Sequence, residues 1–244
     1  MRDLVEESGL VIETQGLRIS RRGQSLLDVP NLRLGGPGPT VILGPNGAGK
    51  SLLLRCLHGL IQADAGTVRQ NGRALDAEER ASQAMVFQRP VMLRRSVAGN
   101  LDFVLRRRGL NRAQRQARIA ALLAEGGLPS RARQGARSLS VGEAQRLAIL
   151  RALATEPEVL FLDEPTSALD PGATQAVESL VLRASARGVR IVMVTHDIGQ
   201  ARRLAADVVV MMGGQVVEHG PAAQVLDDPA CGAVRRFLAG ELIF

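Results

Sequence analysis

Hydrophobic and polar positions along the chain follow two different periods. Alternating apolar and polar residues, or short continuous apolar runs, predict strands, whereas apolar residues three or four apart predict helices. These patterns predict strands at 11–19, 25–34, 40–43, 84–87, 158–162 and 190–195, a hairpin at 208–218, and helices at 50–60, 171–187 and 229–240. Strands that are apolar throughout and separated by helices indicate a mostly parallel sheet.

The middle of the chain is helical in pattern and rich in arginine. From residue 96 to residue 154 the helical pattern is broken at Gly109, at Gly126-Gly127 and at Pro129, and it predicts a separate helical lobe. Residues 94–151 hold 13 arginines against three acidic residues, a net +10, so the rest of the chain sums to −3 of the overall +7. This asymmetry is compatible with nucleic acid, anionic lipid, an acidic protein partner or an ordinary solvated helical face.

Composition narrows those possibilities. The chain has no Trp or Tyr and only five Phe, so the stacking platforms that bind single-stranded nucleic acid are nearly absent, and no nucleic acid partner is expected. No apolar stretch approaches the ~20 residues that a membrane-spanning helix needs, so another chain is expected to span any membrane involved. The two cysteines, Cys56 and Cys231, form no metal or disulfide framework.

A single lysine, Lys50, stands against thirty arginines. It lies in the run Gly44-Pro45-Asn46-Gly47-Ala48-Gly49-Lys50-Ser51, whose Gly-x4-Gly-Lys-Ser spacing is that of a phosphate-binding loop. A compact ammonium fits a ring of phosphates where a flat guanidinium does not, and glycines let the backbone approach phosphate oxygens closely. We predict that this run binds the phosphates of a nucleotide, with Lys50 at the β- and γ-phosphates and Ser51 on Mg²⁺.

Two acidic residues, Asp163 and Glu164, follow the apolar run 159–162. A strand delivering such a pair can hold Mg²⁺ through Asp163 and orient, or take a proton from, an attacking water through Glu164. An apolar run that ends in two acids is also typical of a strand that leads into a capped helix, so the pair by itself is ambiguous. Together with the phosphate-binding loop it predicts nucleotide hydrolysis.

A third motif, Leu139-Ser140-Val141-Gly142-Glu143-Ala144-Gln145-Arg146, precedes the acidic pair. With Ser167-Ala168-Leu169-Asp170, Gln88 and His196, it resembles the ATP-binding cassette of ABC transporters, in the family's order and over essentially the whole chain. The resemblance implies an α/β fold: a P-loop NTPase core with a mostly parallel sheet, an N-terminal antiparallel β subdomain and an inserted α-helical subdomain. Residues 1–244 would form one domain, with 1–90 and 155–244 as the core and 91–154 as the helical subdomain.

The same resemblance implies a head-to-tail dimer that holds ATP between the loop of one copy and the Ser140–Gly142 segment of the other. Gln88 would sense Mg²⁺ and the attacking water, His196 would contact the γ-phosphate, and Asp170 would link the two sites. The implied partners are an integral membrane permease and, indirectly, an extracytoplasmic substrate-binding protein. The chain would then lie peripherally on the cytoplasmic face of the inner membrane.

Two positions depart from the family pattern. The usual signature is Leu-Ser-Gly-Gly-Gln, so Val141 and Glu143 differ, whereas Gly142, beside the phosphate, is retained. The acidic side chain of Glu143 would either lie near the nucleotide or point away along the helix. Many relatives stack an aromatic residue on adenine where this chain has Arg22, so the choice between ATP and GTP stays open.

The cargo is suggested only by local likeness. The segments 87–97, 195–201 and 240–243 look like those of tungstate-type oxyanion importers, with molybdate and phosphate importers as close neighbours. An efflux or lipoprotein-extrusion cassette and a non-transport ATPase of the same family are the alternatives. Met92 and Leu93 are a candidate docking patch for the membrane partner, unless both side chains lie inside the helical lobe.

Overall fold

The computed structural model describes residues 10–241, which form two compact units, 10–81 with 192–241 and 82–191. In chain order the strands are β1 (Ile12–Arg21), β2 (Gln24–Leu34), β3 (Thr40–Leu43), β4 (Ala65–Gln70), β5 (Arg73–Ala74), β6 (Gln83–Val86), β7 (Val159–Asp163), β8 (Arg190–Val194), β9 (Asp207–Met212) and β10 (Gln215–Pro221). The helices are α1 (Lys50–Leu57), α2 (Ala77–Ala81), α3 (Val97–Leu105), α4 (Arg112–Glu125), α5 (Val141–Leu153), α6 (Pro171–Ala186), α7 (Ile198–Leu204), α8 (Ala222–Asp227) and α9 (Gly232–Leu238).

The first unit contains an antiparallel sheet in the order β2-β1-β4-β5. Ile12 pairs with Leu34 and Leu17 with Val29, and all four side chains are buried, as the alternating pattern of the sequence predicted. The sequence patterns missed β4 and β5. In β4 only the last residue, Gln70, is buried, so its sequence carries no apolar alternation, and it is a strand because it pairs with β1.

The same unit also contains mostly parallel strands. β3 pairs in parallel with β8, Ile42 opposite Val194, and with β9, Ile42 opposite Val209, while β10 runs antiparallel to β9. Every residue of β3 is buried, which explains its continuous apolar sequence. Together with the antiparallel sheet, these strands confirm the predicted α/β class.

The C-terminal helix, predicted from Pro229 to Gly240, begins later, at Gly232. The carboxylate of Glu218 in β10 accepts hydrogen bonds from the backbone N–H groups of Ala230 and Cys231, at 2.8 and 3.0 Å. Cys231 has an extended backbone (φ −82°, ψ 122°), so it lies before the helix, and the two hydrogen bonds attach this segment to β10. Helices α2, α7 and α8, of five to seven residues, were also missed, because so few residues show no helical period.

The second unit contains β6 and β7, paired in parallel with Val86 opposite Leu162, and all five residues of β7 are buried. Helices α3, α4 and α5 lie between residues 97 and 153, and α4 ends at Glu125 beside the predicted break. A Cβ on Gly126 would lie 2.4 Å from Cδ1 of Leu150, so a larger residue there would require that side chain to move. The boundaries of the helical subdomain, 91–154, stay a prediction. Within residues 10–241, no helix is both long and apolar enough to cross a bilayer.

Candidate nucleotide-binding site

The loop after β3 is shaped by glycines and closed by Lys50. Gly44 has φ +148°, and a Cβ there would lie 2.1 Å from the carbonyl oxygen of Met211, so this position accepts only glycine. Gly49 precedes α1 with φ +91°, a backbone conformation that residues with a side chain rarely adopt. The Nζ of Lys50, whose residue is 5% exposed, donates hydrogen bonds to the carbonyls of Gly44 (2.7 Å) and Pro45 (2.9 Å).

These features fit a triphosphate with Mg²⁺. The loop leads directly into the N-terminal end of α1, where backbone N–H groups and the helix dipole favour anions. The buried ammonium of Lys50 is held inside the loop by carbonyl oxygens, which phosphate oxygens can replace as acceptors. Ser51, in the first turn of α1, carries the hydroxyl oxygen that Mg²⁺ accepts as a ligand.

The turn between β9 and β10, Gly213-Gly214, supports this loop and was not recognised as part of the site from the sequence. The N–H of Gly214 donates to the carbonyl of Ala48 (3.1 Å), and its carbonyl accepts from the N–H of Asp28 in β2 (2.8 Å). Gly214 has φ +81°, and a Cβ on it would lie 2.6 Å from the carbonyl oxygen of Leu26. The hairpin thus joins the phosphate loop to the antiparallel sheet.

His196 follows β8 and is exposed. Because β8 runs parallel to β3, both strands end at the same edge, and the backbone N–H of Thr195 donates to the carbonyl of Ile42 (3.2 Å). Asp197 caps α7 through the N–H of Gln200 (3.0 Å). His196 therefore lies at the edge from which the phosphate loop also leaves β3.

In the second unit, Asp163 ends β7 and is 3% exposed, and Glu164 follows with φ +45°. A positive φ is uncommon for a residue with a side chain and tends to occur at functional sites. The amide of Gln88 donates to a carboxylate oxygen of Glu164 (3.3 Å) and to the hydroxyl of Ser167 (3.0 Å). That hydroxyl donates to the carbonyl of Glu164 (3.2 Å), so Ser167 supports the turn, a role that the sequence motif did not reveal.

The N-terminal end of α5 opens onto a groove of about 520 Å³. Ser140 caps the helix, and Asp170 caps α6 by accepting from the N–H of Ala173 (2.9 Å). Ser140, Gly142 and Asp170 all line the groove, so the structure brings together the residues predicted to act across a dimer. Gly142 is also needed for packing within one chain, because a Cβ there would lie 2.7 Å from the Cβ of Ala173.

Glu143, the departure from the usual signature, points back along the helix. Its carboxylate accepts from the N–H of Ser140 (2.9 Å) and from Nε of Arg131 (3.0 Å), while Ser140 Oγ accepts from the N–H of Glu143 (3.3 Å). The backbone N–H of Ser140 and the guanidinium of Arg131 hold the pKa of Glu143 below its ordinary value. The carboxylate is therefore ionised, and it caps the helix.

Two other predicted features are placed as follows. Met92 is buried, at 8% exposure, and Leu93 is half-buried, so Met92 does not belong to an exposed docking patch. The exposed apolar residue there is Val91, at 74%. Arg22 is exposed in the turn between β1 and β2 with φ +53°.

A glycine loop closed by a buried lysine at the N-terminal end of a helix is the phosphate site of a P-loop nucleotide-binding protein. Comparisons with known proteins agree. The family described as "ABC transporter" matches residues 30–167. The phosphate import ATP-binding protein PstB 2 of Natronomonas pharaonis is 37% identical over 258 residues, covering 99% of this chain and 90% of that protein. The Fe(3+) ions import ATP-binding protein FbpC of Streptomyces coelicolor is 39% identical over 235 residues, covering 95% and 68%.

Among solved structures, cbiO1 from Clostridium perfringens, part of the ABC transporter complex cbiONQ, is similar with a TM-score of 0.81 at 28% identity. The match covers 89% of this chain and 90% of that one. The chain therefore belongs to the ABC transporter family, as an ATP-binding cassette. Its homologues are ATPases coupled to transport, which confirms the predicted enzyme class.

Proposed function

We propose that this protein is the ATP-hydrolysing subunit of an ABC importer for an oxyanion, with tungstate as the first candidate and molybdate and phosphate as the next. It works as a head-to-tail dimer on the cytoplasmic face of the inner membrane. A separate permease forms the channel, and an extracytoplasmic binding protein delivers the cargo. The observation that carries the ATPase part is the glycine loop closed by the buried ammonium of Lys50.

Each polar residue of the site has a role in this proposal. Lys50 donates hydrogen bonds to the β- and γ-phosphates, and Ser51 and Asp163 hold Mg²⁺, directly and through water. Mg²⁺, when bound, neutralises charge on the phosphate oxygens. Glu164 orients the attacking water and accepts its proton. Gln88, whose amide donates a hydrogen bond to the Glu164 carboxylate at 3.3 Å, positions this carboxylate and approaches the metal. His196 donates to the γ-phosphate.

The groove at the N-terminal end of α5 supports the dimer. Ser140, Gly142 and Asp170 line it together, and the helix end that they surround is a site for an anionic group. In a head-to-tail dimer, the triphosphate bound by one copy would meet this helix end of the other copy. ATP binding would close the pair and hydrolysis would open it, so the difference in ATP affinity between the two states drives transport.

The cargo is inferred from relatives rather than from the site. PstB 2, which aligns with nearly the whole chain, is named for phosphate, an oxyanion, whereas FbpC is named for Fe(3+). Segments 87–97, 195–201 and 240–243 favour the oxyanion group and, within it, tungstate. A cassette does not contact the cargo, so uptake has to be measured directly.

The catalytic part is tested with Glu164→Gln. This change keeps the size of the side chain but removes the proton acceptor, so ATP binding is retained and turnover falls at least about 100-fold. Size-exclusion chromatography with ATP and Mg²⁺ is expected to show a trapped dimer. The matched control is Glu158→Gln, an exposed glutamate that immediately precedes β7, which is expected to keep normal turnover. Normal hydrolysis by Glu164→Gln would remove Glu164 from the catalytic role.

The transport part is tested by uptake in a strain lacking this chain. Tungstate, molybdate, phosphate and Fe(3+) are supplied separately, and the wild-type chain or Glu164→Gln is restored. Loss of tungstate uptake that only the wild type restores supports the first candidate. Loss confined to molybdate or phosphate uptake would change the cargo within the oxyanions, and loss confined to Fe(3+), or no loss, would refute oxyanion import.

A further inference from the structure

The carboxylate of Glu143 lies where the proposed function brings a triphosphate. Glu143 is the third residue of α5 and lines the same groove as Ser140 and Gly142. A free carboxylate at this helix end would repel phosphate and compete with it for backbone N–H groups. A chain with glutamate here therefore needs a means of holding that charge away from the nucleotide.

Arg131 provides it. Its Nε donates to one carboxylate oxygen of Glu143 (3.0 Å), while the backbone N–H of Ser140 donates to the other (2.9 Å). The guanidinium is itself held by the side-chain oxygen of Gln134, which accepts from it at 3.2 Å. Both carboxylate oxygens are thus directed toward the chain's own donors.

The other charged residues that line the groove are already engaged. Asp170 accepts from the N–H of Ala173 at 2.9 Å, and Arg146 donates through Nε to the carbonyl of Gly126 at 3.0 Å. Arg131 is therefore the cation that binds Glu143 among the described residues. Its side chain is 49% exposed and that of Glu143 is 18% exposed, so the pair lies at the surface where a second copy would approach.

We propose that Arg131 is a positioning residue for ATP hydrolysis, which neutralises Glu143 and keeps it in the helix cap so that α5 can accept the triphosphate of a second copy. This inference rests on the proposed function. It explains how the chain carries an acidic residue in place of the usual glutamine. It also makes the need for Arg131 depend on the charge of Glu143, because a neutral side chain here needs no counter-charge.

The experiment is a double-mutant cycle on the full-length chain, with kcat for ATP hydrolysis as the readout. Arg131→Ala is expected to lower kcat at least tenfold, equivalent to about 1.4 kcal/mol. In the Glu143→Gln background, the same Arg131→Ala change is expected to cost less than twofold. Arg131→Lys, which keeps the charge, is expected to restore at least a third of wild-type kcat. ATP binding without Mg²⁺, which reports on the phosphate loop alone, is expected to stay within twofold in all variants.

The matched control is Arg133→Ala. Arg133 is exposed two residues away and has no hydrogen-bond or ionic partner among the described residues, so its loss is expected to leave kcat unchanged. Equal kcat values for Arg131→Ala and Arg133→Ala would overturn the inference. So would a tenfold loss that persists in the Glu143→Gln background, because that result would mean a structural role independent of charge. If the wild type hydrolyses no ATP, the proposed function fails, and this inference fails with it.

Discussion

Replacement of each glycine in the turn Gly213-Gly214 by alanine separates backbone strain from the fit against the neighbouring sheet. Both residues have positive φ, +55° and +81°, as a two-residue turn of this type requires. A Cβ at Gly213 has no atom of residues 10–241 within 4 Å, whereas one at Gly214 lies 2.6 Å from the carbonyl oxygen of Leu26 and 3.0 Å from its carbon. The pair thus shares the strain but not the clash.

The magnitudes follow from this difference. A left-handed conformation costs a residue with a side chain roughly 1–2 kcal/mol, so Gly213→Ala should lower the free energy of unfolding by about 1 kcal/mol. Gly214→Ala carries the same strain and in addition overpacks against backbone, which costs roughly 1–3 kcal/mol. Its total of about 3 kcal/mol is about 2 kcal/mol more than the cost of Gly213→Ala. At roughly 2–4 °C per kcal/mol for a chain of this size, the Tm of Gly214→Ala should lie about 4–8 °C below that of Gly213→Ala.

ATP affinity should follow the same order. Gly214 donates its N–H to the carbonyl of Ala48 inside the phosphate loop, so moving the turn moves the loop. We expect ATP binding by Gly214→Ala to weaken at least tenfold, about 1.4 kcal/mol, and binding by Gly213→Ala to stay within twofold of wild type. The assays are thermal unfolding and equilibrium ATP titration. Equal effects of the two changes on both measurements would refute the reasoning.

Two further predictions concern single residues. Lys50→Ala should weaken ATP binding roughly 10- to 100-fold, because it removes a charged donor to phosphate. Lys50→Arg should weaken binding as well, although it keeps the charge, because a flat guanidinium does not fit the loop. Titrations that show wild-type affinity for either variant would contradict this reasoning. Burial raises the pKa of the Cys56 thiol from 9.0 to about 11, so the folded state holds this proton more tightly and the free energy of unfolding should fall as pH rises from about 9 to 11. In urea titrations across this range, Cys56→Ala should lose that part of the decline, and an unchanged decline would show that another group causes it.

The elements that the sequence predicted well are those whose own residues are buried. β3 and β7 are buried along their whole length, so their apolar runs marked them directly. The sequence pattern missed β4, because this strand is exposed over most of its length and forms by pairing with β1. The segment before α9 donates two hydrogen bonds to the carboxylate of Glu218, twelve residues or more away in sequence, a contact that no local pattern contains.

The candidate site divides in the same way. The chemistry of the site could be predicted from the sequence, because phosphate binding requires certain residue types at a short spacing, as in the run that contains Lys50. The residues that support the site could not be predicted from the sequence. Gly214 under the loop, Ser167 under Glu164 and Arg131 on Glu143 act through contacts that join separate segments. Met92 shows the converse case, since an apolar residue next to a motif looked available for docking and is buried.

Sequence alone therefore predicted the family, which the comparisons confirm, and a candidate phosphate site, because both depend on residue identity at fixed local spacing. Tertiary structure alone decided which way the carboxylate of Glu143 points and why a side chain at Gly142 or Gly214 would clash with its neighbours. Gly142 packs against Ala173, and Gly214 packs against the backbone of Leu26. These outcomes depend on atoms that the fold brings together from distant parts of the chain, and a local pattern carries no information about them.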